Sequence, residues 1–267
     1  MTSEQRLALA LLVVGAAGVA GVVAVAAGAT AVAATSPTVR RKVVETGTQA
    51  YESLPSLPSL LPRAIEGELL PDGRRPIRIP AFDNEGKLVL WADLILPPVA
   101  ALRPPLPLPL VIGSGFELRD IASLALHHDF HEGVDIRAAQ GTPLANLEKG
   151  SVSWITSQEH GNAAGTSVTI RGDVSGLHTT YAHMSSLAPF LRAAMATRPS
   201  TSNGIGFPVG AVPVAAGQPI GTTGGAPGTW GAGRSTGPHL HLRIGLYSSP
   251  RQPNVNPRDV LPKAWTA

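Results

Sequence analysis

Cysteine is absent from all 267 residues. That excludes a disulfide framework, a thiolate nucleophile and a thiolate metal site, so any metal here must be held by nitrogen and oxygen. It leaves the compartment open, since exported chains can also lack cysteine. Aromatic residues are scarce at 4%, and charged residues make up only 15%. The 21 Lys and Arg are scattered rather than clustered, against 18 Asp and Glu, so no nucleic-acid partner is expected. A net charge of +3 and a pI near 9.6 favour approach to an anionic polymer instead. A phosphate-binding loop is missing too. The Gly-rich run from Gly221 to Gly237 lacks a Gly-Lys-Ser/Thr ending, and a loop lining a substrate cleft is the better reading. What the chain does have is glycine, 29 residues, as suits a β-rich fold with many tight turns.

The apolar share of 43% is inflated by one segment. From Leu7 to Ala34 the chain is Ala, Val, Gly and Leu apart from Thr30, with no charge. At ~1.5 Å per helical residue this run is ample to cross a ~30 Å hydrocarbon core. Ala31-Val32-Ala33 fits a signal-peptidase site, but the run exceeds the ~7–15 residues of a signal h-region, so an uncleaved anchor over 1–36 is favoured. Arg40, Arg41 and Lys42 follow the run, and the positive-inside rule would keep what comes after them in the cytoplasm.

Residues 37–107 read as a Pro-rich linker, with Leu-Pro-Ser-Leu-Pro-Ser-Leu-Leu-Pro at its centre and a second Leu/Pro stretch over Pro97 to Pro109. Within it, Ile77-Arg78-Ile79 alternates, Lys87 to Leu96 is strand-like, and Asp83-Asn84-Glu85-Gly86 makes a turn between them. A small hairpin is expected there. A spacer role for the segment is favoured over packing on the domain that follows, residues 108–267, which is large enough to bury one core.

The most telling residues lie in that domain: His131, Asp135, His183, His239 and His241. Two imidazoles and a carboxylate can hold zinc with a position left open for water, and two more imidazoles can move protons beside it. The two histidines of His239-Leu240-His241 fall on one face of a strand, with apolar Leu240, Leu242 and Ile244 on the other. Gly133 argues against a helical His131/Asp135 pair, and a turn entering a short strand at Val134-Asp135-Ile136 fits better. If Leu177 to Met184 is one strand, Tyr181 and His183 share a face and His178 takes the other. His127, His128, His160 and His178 read as surface or satisfied core residues, although the first two lie close enough to His131 to compete with it as ligand.

These residues stand in an ordered set of segments: Gly113-Ser114-Gly115-Phe116 with Arg119, His131-Glu132-Gly133-Val134-Asp135-Ile136, Gly141-Thr142-Pro143-Leu144-Ala145, and Gly150-Ser151-Val152. Tyr181-Ala182-His183-Met184, Ala216-Gly217-Gln218-Pro219-Ile220-Gly221, Gly237-Pro238-His239-Leu240-His241 and Val255-Asn256-Pro257 follow. In this order they resemble the lysostaphin-like (LytM-type) zinc endopeptidases, which cut the peptide part of bacterial peptidoglycan. The resemblance spans roughly Leu110 to Pro262.

It implies a mainly antiparallel β domain with a zinc cleft, His131, Asp135 and His241 as Zn2+ ligands, and His183 and His239 as catalytic histidines. The partner it implies is peptidoglycan, with the membrane reached through the N-terminal helix and the catalytic domain facing the wall. A phage-encoded, virion-associated protein would escape the charge bias noted above. Met184 stands where the family has Leu, a volume-conserving change. Ala188 to Gly206 looks like an insertion at the cleft rim, with a short helix over Ala188 to Ala196 and turns after it. The competing reading is a non-catalytic wall-binding or virion structural module that keeps the site as scaffold.

Overall fold

The computed structural model of the chain describes residues 61–121, 126–247 and 253–266, with the backbone alone at 118–121 and 126–129. The chain divides into two units at Leu57/Pro58. The first unit, with the expected N-terminal anchor, lies outside the described residues, as do the side chains of His127 and His128. Among the described residues no helix is long and apolar enough to cross a membrane.

The fold is mainly β. Its strands begin with β1 (Ile65–Glu66), β2 (Arg75–Phe82), β3 (Leu88–Leu96), β4 (Ile112–Ser114), β5 (Leu118–Ile121) and β6 (Leu126–Phe130). Next come β7 (Gly133–Arg137), β8 (Pro143–Ala145), β9 (Gly150–Thr156), β10 (Ser167–Gly172), β11 (His178–Ala182) and β12 (Met184–Leu187). Helix α1 (Pro189–Ala196) precedes β13 (Ile205–Gly206), β14 (Pro213–Val214), β15 (Pro219–Thr223), β16 (His239–Gly245) and β17 (Asn254–Val255), and α2 (Pro257–Val260) closes the series. One large sheet runs in the order β1-β2-β17-β16-β11-β10-β9-β13, with β3 on β2, β14 on β9, and β4-β7 joined to β16. A three-stranded sheet, β12-β15-β8, and the β5-β6 pair complete the set, and the pairings between these strands are antiparallel.

Strand alternation explains the core. Leu240, Leu242 and Ile244 of β16 turn to the same face as Val134 and Ile136 of β7, Tyr181 of β11 and Val168 of β10, and all are buried. Tyr181 ties this face to the chain after β8: its hydroxyl accepts from Leu147 N at 2.7 Å and donates to Asn146 Oδ1 at 3.2 Å. Those bonds satisfy polar groups that burial would otherwise penalise.

The expected hairpin forms. Asp83 Oδ1 accepts from Glu85 N and Lys87 N, which closes the turn between β2 and β3. The hairpin is not a spacer, however. Phe82 and Ala81 pair with Asn254 and Val255 of β17, so β2 is a strand of the large sheet. Phe82 also packs edge-on to Phe116, which packs on Phe130 in turn, with centroids 5.5 and 4.8 Å apart. The alternation of apolar residues in β2 marks its buried face, and Ile77 and Ile79 lie in the core. Pro76 and Pro80 are accommodated within β2 all the same.

Candidate metal centre

Register assembles the first part of the site. His241 on β16 lies directly opposite Asp135 on β7, and His239 opposite Arg137, so alternation sends His239, His241 and Asp135 to one face. His131 comes from the turn before β7, as expected. Its Nε2 is 3.0 Å from His241 Nδ1 and 3.0 Å from Asp135 Oδ1, and His241 Nδ1 is 2.9 Å from the same oxygen. The three donor atoms thus form a near-equilateral triangle.

The triangle suits a small tetrahedral cation. Zinc bonds of ~2.0–2.1 Å at tetrahedral angles put ligand atoms about 3.3 Å apart, so a slight expansion of the triangle would admit the ion. The rings are also set for the task. His131 Nδ1–H donates to the Gly115 carbonyl, with Ser114 Oγ 3.3 Å away, which leaves the Nε2 lone pair facing the other donors. Within Gly113-Ser114-Gly115-Phe116 it is Ser114 and Gly115 that orient this ring, a role the sequence does not announce. Gly133 is needed for space. A Cβ there would stand 2.5 Å from Leu242 O and 2.9 Å from His241 Nε2.

Burial works against ionisation of Asp135, but the three imidazoles around it, His131, His239 and His241, outweigh burial and hold the carboxyl well below the usual carboxylate range. Burial also pushes His241 down to about 4, against the pull of Asp135. A neutral imidazole beside a charged carboxylate is the protonation state in which a metal ligand set works.

His239 and His183 flank the triangle. His239 Nδ1–H donates to the Gly237 carbonyl at 2.8 Å, and Nε2 lies 3.3 Å from Asp135 Oδ1. The His183 ring stands 4.9 Å from that of His239 and 5.8 Å from that of His241. It does not arrive there by the continuous strand expected over Leu177 to Met184. β11 ends at Ala182, His183 adopts φ of 57°, and β12 continues in the other sheet.

That break reverses the expected facing. Tyr181 points to the core, whereas Ala182, opposite His241, and then His183 both serve the site. Loop 224–238 packs on this corner through Gly231, where a Cβ would fall 1.8 Å from Met184 O. Among the described residues, His183 Nδ1 is buried without a hydrogen-bond partner. Burial, then the neighbouring His241 and His239, push this ring down to about 3 despite a backbone hydrogen bond with Ala232 and the nearby Asp135.

The other histidines behave as expected where they are described. His178 is buried and bonded to Ser153 Oγ at 3.1 Å, and His160 bonds Ser157 N and Ser200 Oγ. The Ser200 contact joins the segment after α1 to the loop after β9, whose Ala164 carbonyl accepts from His183 N. Trp230, on loop 224–238, is 54% exposed.

Gly233-Arg234-Ser235-Thr236-Gly237 spells the Gly-x-Ser-x-Gly of a serine-hydrolase elbow, and Ser235 Oγ lies 3.3 Å from His239 Nδ1. The geometry rejects a serine nucleophile. The segment is a loop leading into β16 rather than a strand-to-helix turn, and Ser235 donates to the Gly237 carbonyl at 2.7 Å. His239 Nδ1 is committed to the same carbonyl and cannot act as base for that hydroxyl.

No protein-family model matches the chain, and no curated protein does either. Among solved structures it is similar to the catalytic domain of the prophage-encoded M23 protein EnpA from Enterococcus faecalis, at 29% identity over 59% of this chain and 95% of that one, with a TM-score of 0.40. It is similar to lysostaphin, the antimicrobial peptidase of Staphylococcus simulans, at 21% identity over 53% of this chain and 44% of that one, TM-score 0.35. A zinc-containing peptidase from Vibrio cholerae is 21% identical over 75% of this chain and 51% of that one, TM-score 0.41. The superpositions are partial, and the functional case is carried by the side chains.

Proposed function

We propose that this chain is a zinc-dependent endopeptidase that hydrolyses the peptide cross-links or stem peptides of bacterial peptidoglycan. The observation that carries the reading is the convergence of His131 Nε2, Asp135 Oδ1 and His241 Nδ1 to within 4.8 Å of one another, with His183 and His239 beside them. His131, Asp135 and His241 would hold the ion, whose chemistry when bound is to polarise a carbonyl and to supply a nucleophilic water near neutral pH.

The chain's own groups do the rest. His239 is oriented by the Gly237 carbonyl so that Nε2 is left to accept a proton. Buried His183 is neutral and carries an unpartnered Nδ1. Between them the two rings take the proton of the attacking water, hydrogen-bond the carbonyl oxygen, and return the proton to the leaving amine. Trp230, exposed on loop 224–238, offers a face on which a peptide or sugar can stack. The net positive charge favours approach to the anionic wall. The anchor read over residues 1–36 would hold the domain at the membrane, facing its polymer.

The test is hydrolysis of purified sacculi by the full-length chain, with and without chelator, beside His239→Ala. New amino termini that disappear with chelator, return with zinc and are missing in the variant are the expected result. A wild-type protein that binds zinc and sacculi yet releases no amino termini would overturn the catalytic reading in favour of a wall-binding module.

A further inference from the structure

His131 is the ligand least secured by the sheet. It precedes β7, outside any strand, and the residue that follows it is the last side chain before Gly133. That residue, Glu132, does not face solvent freely. Its Oε2 accepts from Arg243 Nη1 at 2.7 Å and from Asn254 Nδ2 at 3.3 Å, with Glu132 and Arg243 only 24% and 23% exposed. Arg243 is two residues beyond His241 and pairs with Gly133 across the β7–β16 ladder. Asn254, fully buried on β17, pairs with Phe82 of the hairpin, and its Nδ2 also reaches Asn84 Oδ1 in the hairpin turn at 3.4 Å. One carboxylate oxygen therefore joins the ligand turn, the strand of His241 and the β2–β3 hairpin.

We infer that Glu132 is a positioning residue for the metal centre: through Arg243 and Asn254 it fixes the His131 turn against β16, and it makes the hairpin part of the site's support. The inference rests on the zinc reading above. A charge-assisted pair between Glu132, next to His131, and Arg243, two residues beyond His241, restrains the separation of the two ligands more tightly than the ladder alone. Glu132 touches neither the metal nor the substrate in this scheme. It acts through His131, as outer residues do when they orient a ligand.

The experiment measures zinc affinity of the full-length chain by competition with a chromogenic chelator, for wild type, Glu132→Gln, Glu132→Arg, Arg243→Glu and the double swap Glu132→Arg/Arg243→Glu. Thermal midpoints of the zinc-free proteins are taken beside each affinity. The expected result is a loss of about 10- to 100-fold in Glu132→Arg and in Arg243→Glu, a smaller loss in Glu132→Gln, and recovery of most of the affinity in the double swap. The unpartnered Oδ1 of Asn254 is available to the guanidinium introduced at position 132. Wild-type affinity in Glu132→Arg overturns the inference, as does a loss that the swap leaves unrepaired. If wild type itself takes up no zinc, the functional reading falls first, which separates the two failures.

Discussion

The β7–β16 ladder and the corner between β11 and β12 both deliver histidines to one centre, by opposite means. On the ladder, regular alternation and direct cross-strand pairing place Asp135 beside His241 with every residue in an ordinary extended conformation. At the corner, alternation would bury His183 with Tyr181, and only the left-handed backbone at φ of 57° returns it to the site. The ladder is thus an arrangement that a two-residue period specifies. The corner depends on what surrounds it: Ala164 O accepting from His183 N at 3.0 Å, and Gly231 allowing the 224–238 loop to close on the break. A residue in a costly conformation persists when its neighbours over-determine it, and such residues gather at functional sites.

The largest effects should come from the ladder. His241→Ala removes a ligand, so after dialysis the variant should retain no zinc while wild type retains one equivalent, as read by metal analysis. Retention of a full equivalent would remove His241 from the ligand set. At the corner the expectation is different. His183→Ala should keep its zinc and lose about 10²- to 10⁴-fold in the rate of amino-terminus release from sacculi. A loss of zinc in parallel would make His183 a ligand and erase the distinction between the two regions.

A smaller effect tests the regular end of β11. Burial, aided by Arg171, pushes His178 down to about 4. The folded protein therefore keeps this ring neutral while the unfolded chain takes up a proton below its ordinary value of 6.5. The unfolded state binds more protons in that window, so stability falls as pH drops from about 6.5 to 4 and is unaffected above it. The loss should reach about 1–3 kcal/mol and be absent from His178→Gln when both are unfolded with urea in chelator. Equal pH slopes in the two proteins would show that the ring is solvated.

The smallest effect isolates the backbone of the corner. Glycine adopts positive φ without the clash that costs other residues ~1–2 kcal/mol, so His183→Gly should be about 1 kcal/mol more stable than His183→Ala. The reverse order would mean that the left-handed turn is not strained. Denaturant midpoints at constant m-value decide it.

Much of this was readable in the chain. The His-x-His spacing with apolar Leu240 and Leu242 between and beyond it declares a strand with one polar face, and Gly133 argues for a turn before β7. The helix expected within Ala188 to Ala196 is present as Pro189–Ala196. Other features had no local signal. Nothing near His131 announces that its Nδ1 will meet Gly115 O or that Glu132 will meet Arg243, because those partners are 16 and 111 residues away. The hairpin was seen as a hairpin, but its pairing with β17 joins residues more than 170 apart.

By itself, then, the sequence determined which donors exist, that no thiolate is among them, and which residues of β7 and β16 share a face, since a strand's two-residue period is a local property of the backbone. Only the tertiary structure decided how the donors meet. The 3.0 Å triangle, the reversal at His183 and the attachment of the hairpin all arise from packing between segments distant in the chain. Local propensity carries no information about those contacts; burial and hydrogen-bond satisfaction do.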